Sequence, residues 1–523
     1  MSNDPPNRQG VSEVVAARPA PPRTRGRVRW CAVGLAGLTG MAGVAGVTGA
    51  HGLILSSAER QVLAAYGVDG DSPAGQGATG GGQQAGTGPL GNEQSVPCAA
   101  DRLIEAIVRA NASGGANLRL TERCTYTLTA AQGSDGLPIV TQPITIDGQG
   151  ATIVRAANAA NFRILNVGVG GDLTLKDLTV AGGFAPDSPG GGGILVQSGG
   201  QATLRNAAVV DNRSATVGGG IANYGITTIL GQDGGAGQGS GSSGAPNKAS
   251  GNGPTQASPG GQSVGSTGNA GTGQAGSKVD HNSTASSGGG IYNEGRLTGD
   301  NVEVDYNHSG GGGGGLTDVG NAALTRARVD HNTAASGDFV GAAGGGITSF
   351  SAITKVEDSS VSDNTAGADG GGIACEASTI YLRGTKVDHN TATGDGGGID
   401  GEASAIFPPG VCAAVIEDSE VSGNTASGSG GGINNRISSL VLRRSDVSLN
   451  RAVGTASQAG GISNQGGAVT LTATRVTGNS STVAPGGVAS NRSLVTLDQK
   501  SVITANRPTN CAGSTVAVPN CFG

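Results

Sequence analysis

Ten times along this chain an apolar residue is followed, three places on, by asparagine. The pairs are Val209–Asn212, Val279–Asn282, Val304–Asn307, Val329–Asn332, Val361–Asn364, Val387–Asn390, Val421–Asn424, Val447–Asn450, Val476–Asn479 and Ile503–Asn506. After most of them a glycine run ends in an apolar residue: Ile221, Ile291, Leu316, Ile347, Ile373, Ile399, Ile433, Ile462 or Val488. The stretch "VDHNTATGDGGGI", Val387 to Ile399, shows both halves of a unit together. Units recur mostly every 25 to 34 residues, and a period in that range means a solenoid.

Helical repeats need apolar stripes at helical spacing, which glycine runs would break. The apolar signals here are short and strand-like, as in "STIYLRGTKV", "SSLVLRRSDV" and "GAVTLTATRV", rich in Val, Ile, Leu and Thr between Gly/Asn/Asp turns. The chain is therefore read as all-β, a right-handed parallel β-helix with about three short strands per turn. The valine and the isoleucine point inward, and ten turns stacked at ~4.8 Å make a rod of about 50 Å. Each asparagine carries a donor and an acceptor, so Asn212, Asn282, Asn307, Asn332, Asn364, Asn390, Asn424, Asn450, Asn479 and Asn506 can bond into a ladder inside the turn. The glycines supply positive φ at the following corner. Read instead as a phosphate cradle, they would need a helix after them, which the strand signals deny.

A solenoid has raw ends. "AADRLIEAIVRANA" predicts a capping helix over about 99–112 with Leu103, Ile104, Ile107 and Val108 on its apolar face. Residues 507–523 read as a disulfide-closed loop over the last turn. The β-helix is expected over 98–523, interrupted by a Gly/Ser-rich, disordered insertion at 231–277 and preceded by a Gly-rich linker at 51–97. Residues 1–50 read as a basic, apolar export signal. The run Cys31 to Ala50 fits either cleavage near Ala50 or an uncleaved membrane anchor, so the protein is expected to be secreted, at the cell surface, or tethered there. Export makes disulfides the natural fate of the six later cysteines. Six cysteines allow fifteen connectivities; sequence proximity alone suggests Cys98 with Cys124 and Cys511 with Cys521, leaving Cys375 with Cys412.

The paired "GGGI…N" and "VxxNxA" elements resemble the repeats of chlamydial polymorphic outer-membrane proteins, without the C-terminal barrel of those proteins. With "CTYTL", "LPIVTQPITIDGQGATIVR" and "FRIL" as first coils, residues 98 to 523 look still more like exported bacterial pectin-lyase-like β-helices. That resemblance implies a fold shared by pectate lyases, polygalacturonases, epimerases, phage tailspikes and adhesins, and no single function. Neither the NTD…DD…GHG…RxK series of polygalacturonases nor the DPH element of epimerases is present. Aromatic residues make up 2% of the chain, and the sole tryptophan, Trp30, lies in the export segment.

With 13% charged residues, a net charge of −6 and no basic stripe, nucleic acid is not an expected partner. Most charges alternate in sign from unit to unit, as at Glu357, Arg383, Glu417 and Arg443, which reinforces register. One patch does not cancel: Asp280, Asp305 and Asp330, each followed by a ring, His281, Tyr306 and His331. Lys278, Glu303 and Arg328 share the aspartates' outward face. The patch reads as a solvated acidic wall, or else as a site for a divalent cation or polar ligand. No cofactor is required, and calcium is the ion such a stack would admit. The expected function is a non-catalytic surface scaffold for adhesion or for contact with envelope or extracellular polysaccharide or protein. The rival is a lyase or hydrolase acting on acidic glycans. The membrane is met only through the N-terminal segment.

Overall fold

The computed structural model describes residues 93–231, 276–335, 343–403 and 410–523. The expected export segment, most of the linker and most of the insertion lie outside them. The stretch read as linker ends earlier than expected, since Gln94–Val96 is already a strand pairing with Ala116–Leu120. At the insertion's far edge, Ser277 likewise begins the strand Ser277–Asp280.

Successive turns superpose in register: Val209 pairs with Val279, Ile221 with Ile291, Ile373 with Ile399 and Val387 with Val421. The named strands pair in parallel, so one residue per turn repeats vertically and its side chain meets its equivalents. All these valines and isoleucines are buried. A typical turn uses four strands rather than three. In one such turn they are Thr379–Arg383, Lys386–Asp388, the two-residue Thr391–Ala392 and Ile399–Glu402. The two-residue strand had too little apolar signal to read. Among the described residues, these columns build an 11-stranded sheet after the glycine runs, a 10-stranded sheet of two-residue strands, and a 25-stranded sheet joining the other two. The join comes from Pro143–Arg155 and Asp172–Ala181, which run through both columns with an irregularity between Asp147 and Ala151.

The corner asparagines form an unbroken chain of side-chain amides. Asn390 Nδ2 donates to Asn424 Oδ1 at 3.0 Å, and Asn424 Nδ2 to Asn450 Oδ1 at 2.9 Å. Each carboxamide is also tied to backbone on both sides. Asn424 Oδ1 accepts the Asn390 backbone N–H at 2.9 Å, and its Nδ2 donates to the carbonyl of Val387 at 2.8 Å. Both donors and both lone-pair directions are thus used, which no apolar residue could do. The same pattern links Asn212 through Asn506, where Asn510, outside the repeat series, accepts from the last member.

The glycine run has two reasons rather than one. Gly396 has φ +63°, the left-handed corner. Gly397 and Gly398 need no such angle. A Cβ on them would lie 2.4 and 2.7 Å from the carbonyls of Gly431 and Gly432, and that on Gly398 also 2.9 Å from Asn424 Nδ2. The backbone approaches too closely for any other residue. The left-handed position just before a ladder asparagine, by contrast, carries a side chain in eight of ten turns, among them Asp211, His281, Tyr306, His331, Asp363 and His389, and is glycine only at Gly423 and Gly478.

A second internal ladder stands at the third position of the strands following the glycine runs. Asn223 donates to Asn293 at 2.6 Å and Asn293 to Asp318 at 2.7 Å; Asp318, which cannot donate when ionised, also accepts from Thr354 at 2.7 Å. Lower down Asn435 donates to Asn464 at 2.8 Å. Between these stretches Cys375 bonds Cys412, and Cys98–Cys124 and Cys511–Cys521 are the other disulfides. The helix α1, Ala100–Ala112, buries Leu103, Ala106, Ile107 and Ala110. Val108 is 52% exposed, so the buried stripe is rotated from the expected one towards the alanines. Among the described residues no helix is long and apolar enough to cross a membrane.

Asn424→Ala removes four hydrogen bonds and leaves the buried Asn390 backbone N–H without a partner. The expected loss is about 3–5 kcal/mol, seen as a lower midpoint in urea unfolding. A midpoint within error of the parent contradicts the ladder's role.

Candidate functional site

The acidic stack is not a solvated wall. Asp305 is 4% exposed and Asp330 9%. Arg328 clasps both, at 2.6 Å to Asp305 and 3.4 Å to Asp330, and reaches Glu303 at 3.5 Å. The remaining oxygens are spent on backbone: Asp305 Oδ1 accepts the Asp330 N–H at 3.1 Å, and Asp330 Oδ1 the Ser362 N–H at 3.1 Å. Asp280 pairs with Lys278 at 3.5 Å and with His281 Nδ1 at 2.5 Å. Asp305 and Asp330 thus bind one turn to the next, whereas Lys278 and His281, the partners of Asp280, lie in its own turn. Burial and the Asp305 charge push the Asp330 carboxyl up to about 7, against the opposing pull of Arg328.

His281, Tyr306 and His331 stack face to face, with centroids 5.1 and 4.8 Å apart and planes within 17° and 20°. Tyr306 is 51% exposed. The two histidines cover both faces of Tyr306, so that ring offers only its edge to solvent. That geometry suits hydrogen bonding at the hydroxyl and imidazole nitrogens, and gives no open platform for a sugar ring. Farther along, the alternating charges do pair: Arg383 lies 3.4 Å from Glu357 and Arg443 2.6 Å from Glu417. Such exposed pairs contribute little each.

The richer chemistry lies on another face, the outside of the sheet after the glycine runs. Strand alternation sends the first and third residues inward and the second and fourth outward. The fourth positions place Phe350, Glu376, Glu402 and Arg436 in one column, paired turn upon turn. Farther up, Gln197, Tyr224 and Glu294 follow strands paired in the same register. There an open cavity of about 570 Å³ is lined by Asp135, Ile139, Arg163, Asn166, Pro189, Leu195, Gln197 and Tyr224 among others. Its floor is a buried ion pair, Arg163 to Asp135 at 2.8 Å. Asn166 donates to Asp135 at 2.9 Å and Gln197 to Asn166 at 2.9 Å, while Arg163 also donates to the Gly190 carbonyl. Tyr224 donates to the Pro189 carbonyl at 2.9 Å, and Tyr292 lies against it, centroids 5.9 Å apart and tilted. Burial, with the Glu294 charge, raises the Tyr224 phenol to about 12.

Lower on the same face, five charged residues meet. Arg436 reaches Glu402 at 3.0 Å, Asp395 at 3.1 Å and Asp369 at 3.9 Å, and the fully buried Asp400 stands beside them. Burial raises the carboxyls of Asp369, Asp400 and Glu402. None of these residues, nor those of the cavity, stood out in the sequence. For Gln197, Tyr224, Asp400, Glu402 and Arg436 the signal was there, at the second and fourth places after the glycine runs, but these columns vary from turn to turn and so looked like noise beside VxxN.

No known protein-family model and no curated protein matches the chain. Among solved structures it is similar to a mannuronic acid specific polysaccharide family 6 lyase from human gut microbiota, with 12% identity and a TM-score of 0.27 over 78% of this chain and 82% of that one.

Asp330 yields a pH prediction. Its carboxyl is raised from 3.8, so the folded chain keeps a proton that the unfolded chain releases. The stability this group contributes is full below about pH 4 and is lost as pH rises through about 7. Asp330→Asn, which cannot ionise, should therefore gain melting temperature relative to the parent between pH 4.5 and 8. A difference that stays constant with pH contradicts the assignment.

Proposed function

We propose that this chain is an exported, right-handed β-helix, closed at its first turn by α1, that acts at the cell surface as a non-catalytic scaffold holding extracellular or envelope polysaccharide. The polymer lies along the outer face of the sheet that follows the glycine runs. One observation carries this reading: that face holds the cavity of about 570 Å³, with a half-buried tyrosine beside fixed polar groups, and continues as a column of outward side chains. Sugar rings are recognised by such combinations of an apolar ring and oriented hydrogen-bonding groups. A repeating polymer also suits a repeating surface. Three disulfides support an oxidising, extracellular setting. The non-catalytic reading is supported by Tyr224, whose phenol at about 12 keeps its proton at neutral pH and donates it to Pro189, so it is no base.

A second reading, a lyase or hydrolase of acidic glycans, is favoured by Arg436 lying among Asp395, Glu402 and Asp400. The same cluster weighs against it, because four carboxylates around one guanidinium repel a uronate unless something neutralises them.

Affinity electrophoresis through gels containing neutral and uronic-acid polysaccharides separates the readings. Retardation by a polysaccharide, reduced at least tenfold in affinity by Tyr224→Ala or Gln197→Ala, is the expected result. Retardation by none of the polymers contradicts the scaffold. Release of unsaturated or reducing ends, abolished by Arg436→Gln, would replace it with the enzyme.

A further inference from the structure

The geometry points to a divalent-cation site, of the calcium class, formed by Asp369, Asp400 and Glu402. Each can place one carboxylate oxygen so that all three lie within 4.8 Å of one another, the spacing of oxygens that share an ion. An orphaned atom makes this more than a patch of acids. Asp400 is fully buried; its Oδ1 accepts from Asn434 Nδ2 at 2.7 Å, but its Oδ2 has no hydrogen-bond partner among the described residues. A buried carboxylate oxygen without a donor is costly unless a proton or a cation meets it.

The neighbours leave oxygens over for an ion. Asp369 spends Oδ1 on the Asp395 N–H at 2.5 Å, and its Oδ2 is 3.9 Å from the nearest guanidinium nitrogen. Glu402 gives Oε1 to Arg436 at 3.0 Å, which leaves Oε2 outside that bond. With Asp395 included, four carboxylates face one arginine, a net charge of −3 when all are ionised. A doubly charged ion reduces this to −1. Arg436 is itself held by the opposite oxygens of Glu402 and Asp395, and its presence sets a moderate affinity, on the order of 10⁻⁴–10⁻³ M as in extracellular calcium modules.

The site spans two turns. Asp369 precedes the strand Ile373–Glu376, whereas Asp400 and Glu402 belong to Ile399–Glu402 in the turn after it. On the inner side of the same two strands, Cys375 faces Gly401 and bonds Cys412. An ion outside and a disulfide inside would thus pin the same pair of turns. The proposal does not depend on polysaccharide binding.

The test is calcium titration of the full chain, freed of metal by chelator and dialysis at pH 7.5, followed by isothermal titration calorimetry and by melting temperature. Saturable binding with a rise of several degrees in melting temperature is expected. Asp400→Asn, which keeps the side chain's shape, should weaken binding at least tenfold; Glu402→Gln makes the same test if that variant does not fold. Asp446→Asn, in an exposed ion pair with Arg475, should bind as the parent does. Absence of saturable heat in the parent, or unchanged affinity in both site variants, overturns the assignment and leaves protons as the occupants.

Discussion

The structure depends on vertical identity: at each corner a carboxamide bonds to the same carboxamide one turn below and to backbone above. Because the amide offers two donors and accepts twice, it can satisfy a buried corner that is otherwise rich in unpaired peptide groups. The other regularities follow. If the asparagines superpose, the valines three places earlier superpose too and fill the core. The glycines after them must then pass within contact distance of the next turn's backbone, which excludes any side chain. The ladder keeps its register across the long sequence interval between Asn212 and Asn282.

This division of labour also separates structure from function. The strand carrying VxxN has its outward charges committed to neighbours: Arg328 holds Asp305 and Asp330, and the aspartates in turn hold backbone. The sheet beyond the glycine runs has its interior secured by a second ladder and a disulfide, so its outward positions are free to vary. There the buried Asp135–Arg163 pair, Tyr224, and the Arg436 cluster accumulate. A face that varies while its scaffold repeats is what a binding surface on a solenoid requires.

The coil and the ten ladder asparagines were legible in the sequence because each depends on a residue recurring at a fixed rank. The two-residue strands were not, since Thr391–Ala392 and most of its equivalents bury only one small side chain. Nor was the second ladder, whose members change from Asn293 to Asp318 to Ser349 and so repeat a capacity to hydrogen-bond rather than a residue. The acidic stack misled for a related reason. Sequence placed Asp280, Asp305 and Asp330 in one column, but their burial and their bonds to backbone depend on how closely Arg328 and the next turn approach. The Asp369–Asp400–Glu402 group joins a corner to a strand one turn later, a juxtaposition that a linear reading does not weigh.

Hydrogen exchange at the ladder corners, followed by mass spectrometry of peptides covering Asn212 to Asn506, tests vertical identity most directly. The account predicts that the backbone N–H of each ladder asparagine exchanges as slowly as the neighbouring strand amides, since each is held by the next asparagine's side chain. Exchange at those corners at the rate of open surface turns, with the strands still protected, would contradict it.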